Sequence, residues 1–114
     1  KHTDYIYMVT GDRLVISMNA ELDHHLADEM RDVIDTIIEE RGVCHLIFDF
    51  SKISFMDSSG IGLIMGRYKK LQENGSISIA GANDSIQRII LISGLHKLVH
   101  TCKDVSQAAK NIEK

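Results

Sequence analysis

The sequence predicts a single α/β domain, a mixed and mostly parallel β-sheet flanked by about four helices in the order β-β-α-β-α-β-α-β-α. Three observations carry that expectation. Short apolar stretches alternate along the chain with segments of helical periodicity, the pattern left by parallel strands joined through crossover helices. At 114 residues, 44% hydrophobic and 25% charged, the chain has the size and composition of one globular domain able to bury a core without disulfides or metal. No linker, repeat or low-complexity stretch divides it, and it contains no proline.

Tyr5 to Thr10 and Leu14 to Asn19 are apolar-rich and alternating, and the GDR between them signals a hairpin. From Leu26, the residues Leu26, Met30, Val33, Ile34, Ile37 and Ile38 recur at helical spacing, and Arg41-Gly42 closes the segment. VCHLIFDF then reads as a short buried strand. Ser58 or Ser59 can cap the next helix, whose apolar set Ile61, Ile64, Met65, Tyr68 and Leu71 runs until Asn74-Gly75. SISIAGA gives a strand, NDSIQRIILISG a capped helix ending at Gly94, LVHTC a strand and KDVSQAAKNI a terminal helix.

Several function classes fall away. A net charge of −3 offers no broad attraction to nucleic acid or anionic lipid. Cys44 and Cys102 lie in apolar stretches without CxxC or CxxH spacing, so they read as buried free thiols, with no metal or cofactor expected. His24-His25 is no metal pair by itself, because adjacent helical side chains diverge. No apolar run approaches the roughly 20 residues of a membrane span, and there is no signal-peptide core, so a cytoplasmic location is expected.

The informative stretch is FMDSSGIG, Phe55 to Gly62, where a strand hands over to a helix. A hydrolase nucleophile elbow needs glycine two residues before the serine, and Met56 stands there. A dinucleotide fingerprint needs its third glycine at the position of Met65, one before Gly66, and no Walker lysine follows. Gly60, Gly62 and Gly66 therefore read as positions where the helix packs closely on the sheet or on a partner. Two readings of Ser58 and Ser59 stay open. They cap the helix, or one of them accepts a phosphate at a helix N-terminus that tolerates added negative charge.

FMDSSGIG together with AELDHHLA, and later ISGL at Ile92 to Leu95 and GRYK at Gly66 to Lys69, resembles the STAS domain family over essentially residues 1–114. Within that family it is most similar to the bacterial anti-sigma factor antagonists of the sporulation sigma-F branch. The resemblance implies a binding protein and not an enzyme. A serine-kinase anti-sigma factor would phosphorylate the first serine of DSSG, here Ser58; the unphosphorylated form would bind that kinase and release the sigma factor, and a PP2C-type phosphatase would restore binding. The partner surface implied comprises Glu21, Asp23, Asp57, Ser58, Ser59, Gly60, Ile61 and Met65, with the carboxylates as an acidic rim and the apolar residues as its centre. A nucleotide-binding or scaffolding STAS domain, such as a transporter tail or a stressosome subunit, is the alternative, with weak nucleotide binding as its mark.

Overall fold

The computed structural model describes residues 4–71 and 73–113. Five strands, β1 (Tyr5–Thr10), β2 (Arg13–Met18), β3 (His45–Asp49), β4 (Ser76–Ala80) and β5 (His100–Cys102), form one sheet in the order β1-β2-β3-β4-β5. Only β1 and β2 are antiparallel, joined by a two-residue Gly11-Asp12 turn in which Gly11 takes the positive φ that tight hairpins require. The pairs β2-β3, β3-β4 and β4-β5 are parallel, which sets Arg13, His45 and Ser76 side by side at one end of the sheet. The mixed, mostly parallel sheet with four helices expected from the sequence is what forms.

Helices α1 (His24–Arg41), α2 (Ser58–Lys70) and α3 (Asp84–Ile92) share one core with Leu14, Ile16, Met18, Leu46, Phe48, Ile77 and Ile79 of the sheet. Helix α4 (Val105–Glu113) covers the opposite face through Ala108, packed on Ile47 and Ala80. Burying each such large apolar side chain favours folding by about 1.5–3 kcal/mol before conformational entropy is charged against it. Helix α4 packs mainly on β3, β4 and β5, and Ile6 and Met8 of β1 stay exposed.

Several expectations need correcting. Asp57, and neither serine, caps α2: its carboxylate accepts from the Ser59 N–H at 2.8 Å. Helix α2 stops at Lys70, short of Asn74. Helix α3 stops at Ile92, and Leu95–Lys97 form a short 3-10 turn that shortens the following strand to His100–Cys102. Tyr68, expected on the apolar face, is exposed, whereas the charged Arg67 beside it is buried. Both cysteines are free, but half-buried.

Candidate functional site

ELDHH and FMDSSG are more than thirty residues apart in sequence, and the backbone staples them together. The segment before α1 and the segment before α2 form an isolated parallel bridge between Leu22 and Met56, and the Asp57 N–H donates to the Leu22 carbonyl at 3.3 Å. Leu22 and Met56 are fully buried beneath this junction. Glu21 tightens it from above: its carboxylate accepts from the Phe55 N–H at 2.8 Å, the Ser54 N–H at 3.2 Å and the Ser54 hydroxyl at 3.0 Å. Glu21 therefore does not cap α1. It holds the loop that leads into DSSG, satisfying two backbone donors that no strand or helix supplies with acceptors.

Asp23 does cap α1, its carboxylate accepting from the Leu26 N–H at 3.0 Å. That backbone hydrogen bond, helped by attraction from His25 and His24, holds the carboxyl below the usual aspartate range. His24 and His25 are exposed, and their rings, expected to diverge, instead come together with centroids 4.0 Å apart. The starts of α1 and α2 thus sit beside each other, each closed by its own aspartate.

Ser58 is the first residue of α2 and is exposed; among the described residues its hydroxyl has no hydrogen-bond partner. Ser59 is half-buried and faces a groove of about 330 Å³ shared with Ala27, Asp28, Arg31, Gly62, Leu63 and Arg67. The two serines are therefore inequivalent. One hydroxyl projects into solvent at the positive end of a helix, and the other turns toward α1.

Gly60 is where α2 lies closest to the bridge below it. A Cβ there would fall 2.9 Å from the Met56 sulfur and 3.1 Å from a Leu22 methyl. Close packing within the fold is found at Gly60; at Gly62 and Gly66 a Cβ would meet nothing of this chain within 4 Å. Gly60→Ala is expected to cost about 1–3 kcal/mol, the range for overpacking a fitted contact, while Gly62→Ala and Gly66→Ala should stabilise slightly through helix propensity. Urea unfolding of the three variants checks this; equal midpoints would sink the packing account.

Ile61 and Met65 are half-buried, leaning on the core while keeping part of their surface in water, whereas Ile64 is wholly buried and unavailable to a partner. Phe55, which reads from sequence as a core or loop anchor, is about half exposed at 51% next to Glu21. It joins Ile61 and Met65 as an apolar residue available for contact. Periodicity could not reveal it, because Phe55 lies in a loop.

Beneath the surface, α1 and α2 are locked by an ion pair. Arg67 Nε lies 2.8 Å from Asp35 Oδ1, although the N–H is not aimed at the oxygen, so the contact is Coulombic and not a well-directed hydrogen bond. Burial pushes the guanidinium pKa down and Asp35 opposes that shift. Farther along, the exposed Lys70 meets Glu39 at 2.9 Å.

This arrangement of a loop bridge, two aspartate-capped helices and one projecting serine can be set beside known proteins. The anti-sigma F factor antagonist of Paenibacillus polymyxa is 37% identical over 87 residues, covering 75% of this chain and 74% of that protein. The namesake from Lysinibacillus sphaericus is 35% identical over 89 residues, covering 77% and 76%. Among solved structures, the Bacillus cell fate determinant SpoIIAA in its phosphorylated form superposes with a TM-score of 0.75 at 31% identity, covering 95% of this chain and 98% of that one. The anti-sigma factor antagonist SpoIIAA in its unphosphorylated form gives 0.76 at 28% identity, covering 94% of each. No helix among the described residues is long and apolar enough to cross a membrane. The STAS domain description matches residues 5–108, and by that match and these identities the chain belongs to the STAS domain family.

Proposed function

We propose that this protein is a cytoplasmic anti-sigma factor antagonist, a binding protein and not an enzyme, whose activity is set by phosphorylation of Ser58. Unphosphorylated, it binds a serine-kinase anti-sigma factor and releases the sigma factor that the kinase holds; a PP2C-type phosphatase returns the modified protein to that state. The observation that carries this reading is the inequivalence of the two serines. Ser58 is exposed at the first turn of α2 with its hydroxyl open to solvent, as a kinase substrate must be, whereas Ser59 is half-buried against the groove shared with α1. Relatives named for antagonism of anti-sigma factors, and a neighbour solved in a phosphorylated form, support the same assignment.

The partner meets the helix starts. Phe55, Ile61 and Met65 supply apolar contact, and Glu21, Asp23, Asp57 and Ser59 form the surrounding polar surface, with Gly60 setting how close α2 lies to the bridge. Because these carboxylates already hold backbone N–H groups, they keep fixed positions and meet basic groups on the kinase without first being ordered. Incubation with the purified cognate kinase and ATP, followed by intact mass and peptide mapping, tests the reading. One phosphate on Ser58 and loss of the complex on a sizing column are expected. No incorporation, or phosphate on Ser59, overturns the assignment.

A further inference from the structure

At the end of the sheet away from Ser58, the fold brings Asp12 onto the adjacent pair Cys44-His45, so that three potential metal donors converge. Asp12 lies in the β1-β2 turn, Cys44 immediately precedes β3 and His45 begins it. One ligand atom from each lies within 4.8 Å of the other two. Cys44 Sγ is 3.5 Å from Asp12 Oδ2, and His45 Nε2 is 3.9 Å from the same oxygen. Tetrahedral zinc with bonds of about 2.0–2.3 Å needs donor separations of roughly 3.3–3.6 Å. Small side-chain rotations close the difference.

We infer that Asp12, Cys44 and His45 form a binding site for zinc, with three protein ligands and a fourth position open to water. The backbone already ties the donors together: the Cys44 and His45 N–H groups both donate to the Asp12 carbonyl, at 2.9 and 3.1 Å. A supporting contact orients the ring as well. His45 Nδ1 is 2.8 Å from the Ser76 hydroxyl; with Nδ1–H donating to that oxygen, the lone pair of Nε2 is left for the metal. Ser76 is fixed in turn, its N–H donating to the Cys44 carbonyl at 3.0 Å.

Exposure is distributed as such a site requires. The His45 side chain is only 16% exposed and held, while that of Asp12 is 57% exposed and can swing onto an ion arriving from solvent. Arg13 lies near the other Asp12 oxygen, at 4.0 Å from Oδ1, and leaves Oδ2 facing the sulfur and the imidazole. A thiolate and an imidazole beside one carboxylate form a borderline-soft set, suited to zinc and unsuited to magnesium or calcium, which take oxygen ligands. On binding, the Cys44 thiol gives its proton to solvent and forms the sulfur–metal bond. The ion would then join the hairpin turn to the start of β3, far from the phosphorylation site.

Calorimetric titration of Zn2+ into the full chain, kept reduced, should show one-to-one binding. Cys44→Ala and Asp12→Asn should each weaken it by more than the roughly 10–100-fold expected for losing a supporting contact, and Ser76→Ala by an amount within that range. Asp12→Asn alters an exposed turn side chain, so it separates lost binding from lost folding, which melting curves monitor. With Co2+ as probe, a sulfur-to-cobalt charge-transfer band should appear in the unmodified chain and in Cys102→Ala, and vanish in Cys44→Ala. Absence of binding at micromolar Zn2+ overturns the site, as does binding that survives both Cys44→Ala and Asp12→Asn unchanged.

Discussion

Ser58→Asp is expected to weaken binding to the anti-sigma factor by about 10–100-fold, and phosphate on Ser58 by about 1000-fold, which is about 4 kcal/mol. Ser58→Ala should bind within about twofold of the unmodified chain and lose its response to ATP. The difference between aspartate and phosphate follows from charge: a carboxylate brings one negative charge, and a phosphoserine brings nearly two with three strong acceptor oxygens. A solvated phosphate sits comfortably at the N-terminus of α2, where the helix dipole is worth roughly 0.3–1 kcal/mol in its favour. Covering it with a partner strips its water while Asp57 next to it adds like-charge repulsion, and that combination supplies the larger penalty. Binding and stability should therefore separate: Ser58→Asp should melt within a few degrees of the unmodified protein while its complex is lost. Surface plasmon resonance against the kinase, paired with calorimetric melting, checks this. If Ser58→Asp unfolds at much lower temperature, or binds as tightly as serine, a local electrostatic switch is the wrong mechanism.

Much of the fold was legible because its signals are local. The alternation of β2, the one-faced periodicity of α1 and the capping asparagine before α3 each lie within a few residues of what they specify. The misreadings in α2 share one cause. The stripe expected from apolar residues is Ile61, Ile64, Met65, Tyr68 and Leu71; the helix ends before Leu71, which still packs on the core, and the buried set within it is Gly60, Leu63, Ile64 and Arg67. Spacing is the same and the helix is turned by one residue. Gly60 carries no hydrophobic signal although the bridge at Leu22 and Met56 presses against it, and the long aliphatic stem of Arg67 counts as polar in any periodicity. Sequence alone does not single out Asp57 as the cap, because two serines follow it and all three side chains are able to cap a helix. At the site, the two motifs were visible in sequence, but the Glu21 grip on Ser54 and Phe55 was not, since it closes across more than thirty residues. The convergence of Asp12 on Cys44 and His45 was hidden for the same reason.

The burial of Arg67 on α2 makes the Asp35-Arg67 pair the most stability-sensitive polar contact between the two helices whose starts carry the proposed switch. Asp35→Leu is expected to destabilise the fold by about 3 kcal/mol, at the lower end for breaking a buried pair from one side, because Asp35 itself retains some solvent contact. Arg67→Met should cost clearly less. The asymmetry arises from exposure: the Arg67 side chain is 9% exposed and that of Asp35 is 24%. Removing the aspartate strands a guanidinium in a site where burial already works against its charge, whereas removing the arginine leaves a carboxylate that water can reach. The double variant Asp35→Leu with Arg67→Met should recover most of the loss, since replacing both partners with apolar groups removes the desolvation cost together with the attraction. Urea unfolding of the four proteins forms a complete cycle. A coupling near zero would mean that α1 and α2 are held by their apolar contacts alone, and that the position of Ser58 beside the start of α1 owes nothing to the ion pair. A large coupling with the expected asymmetry would mean that Arg67, a residue in the middle of α2, fixes the helix rotation that puts Ser58 outward and Ser59 inward.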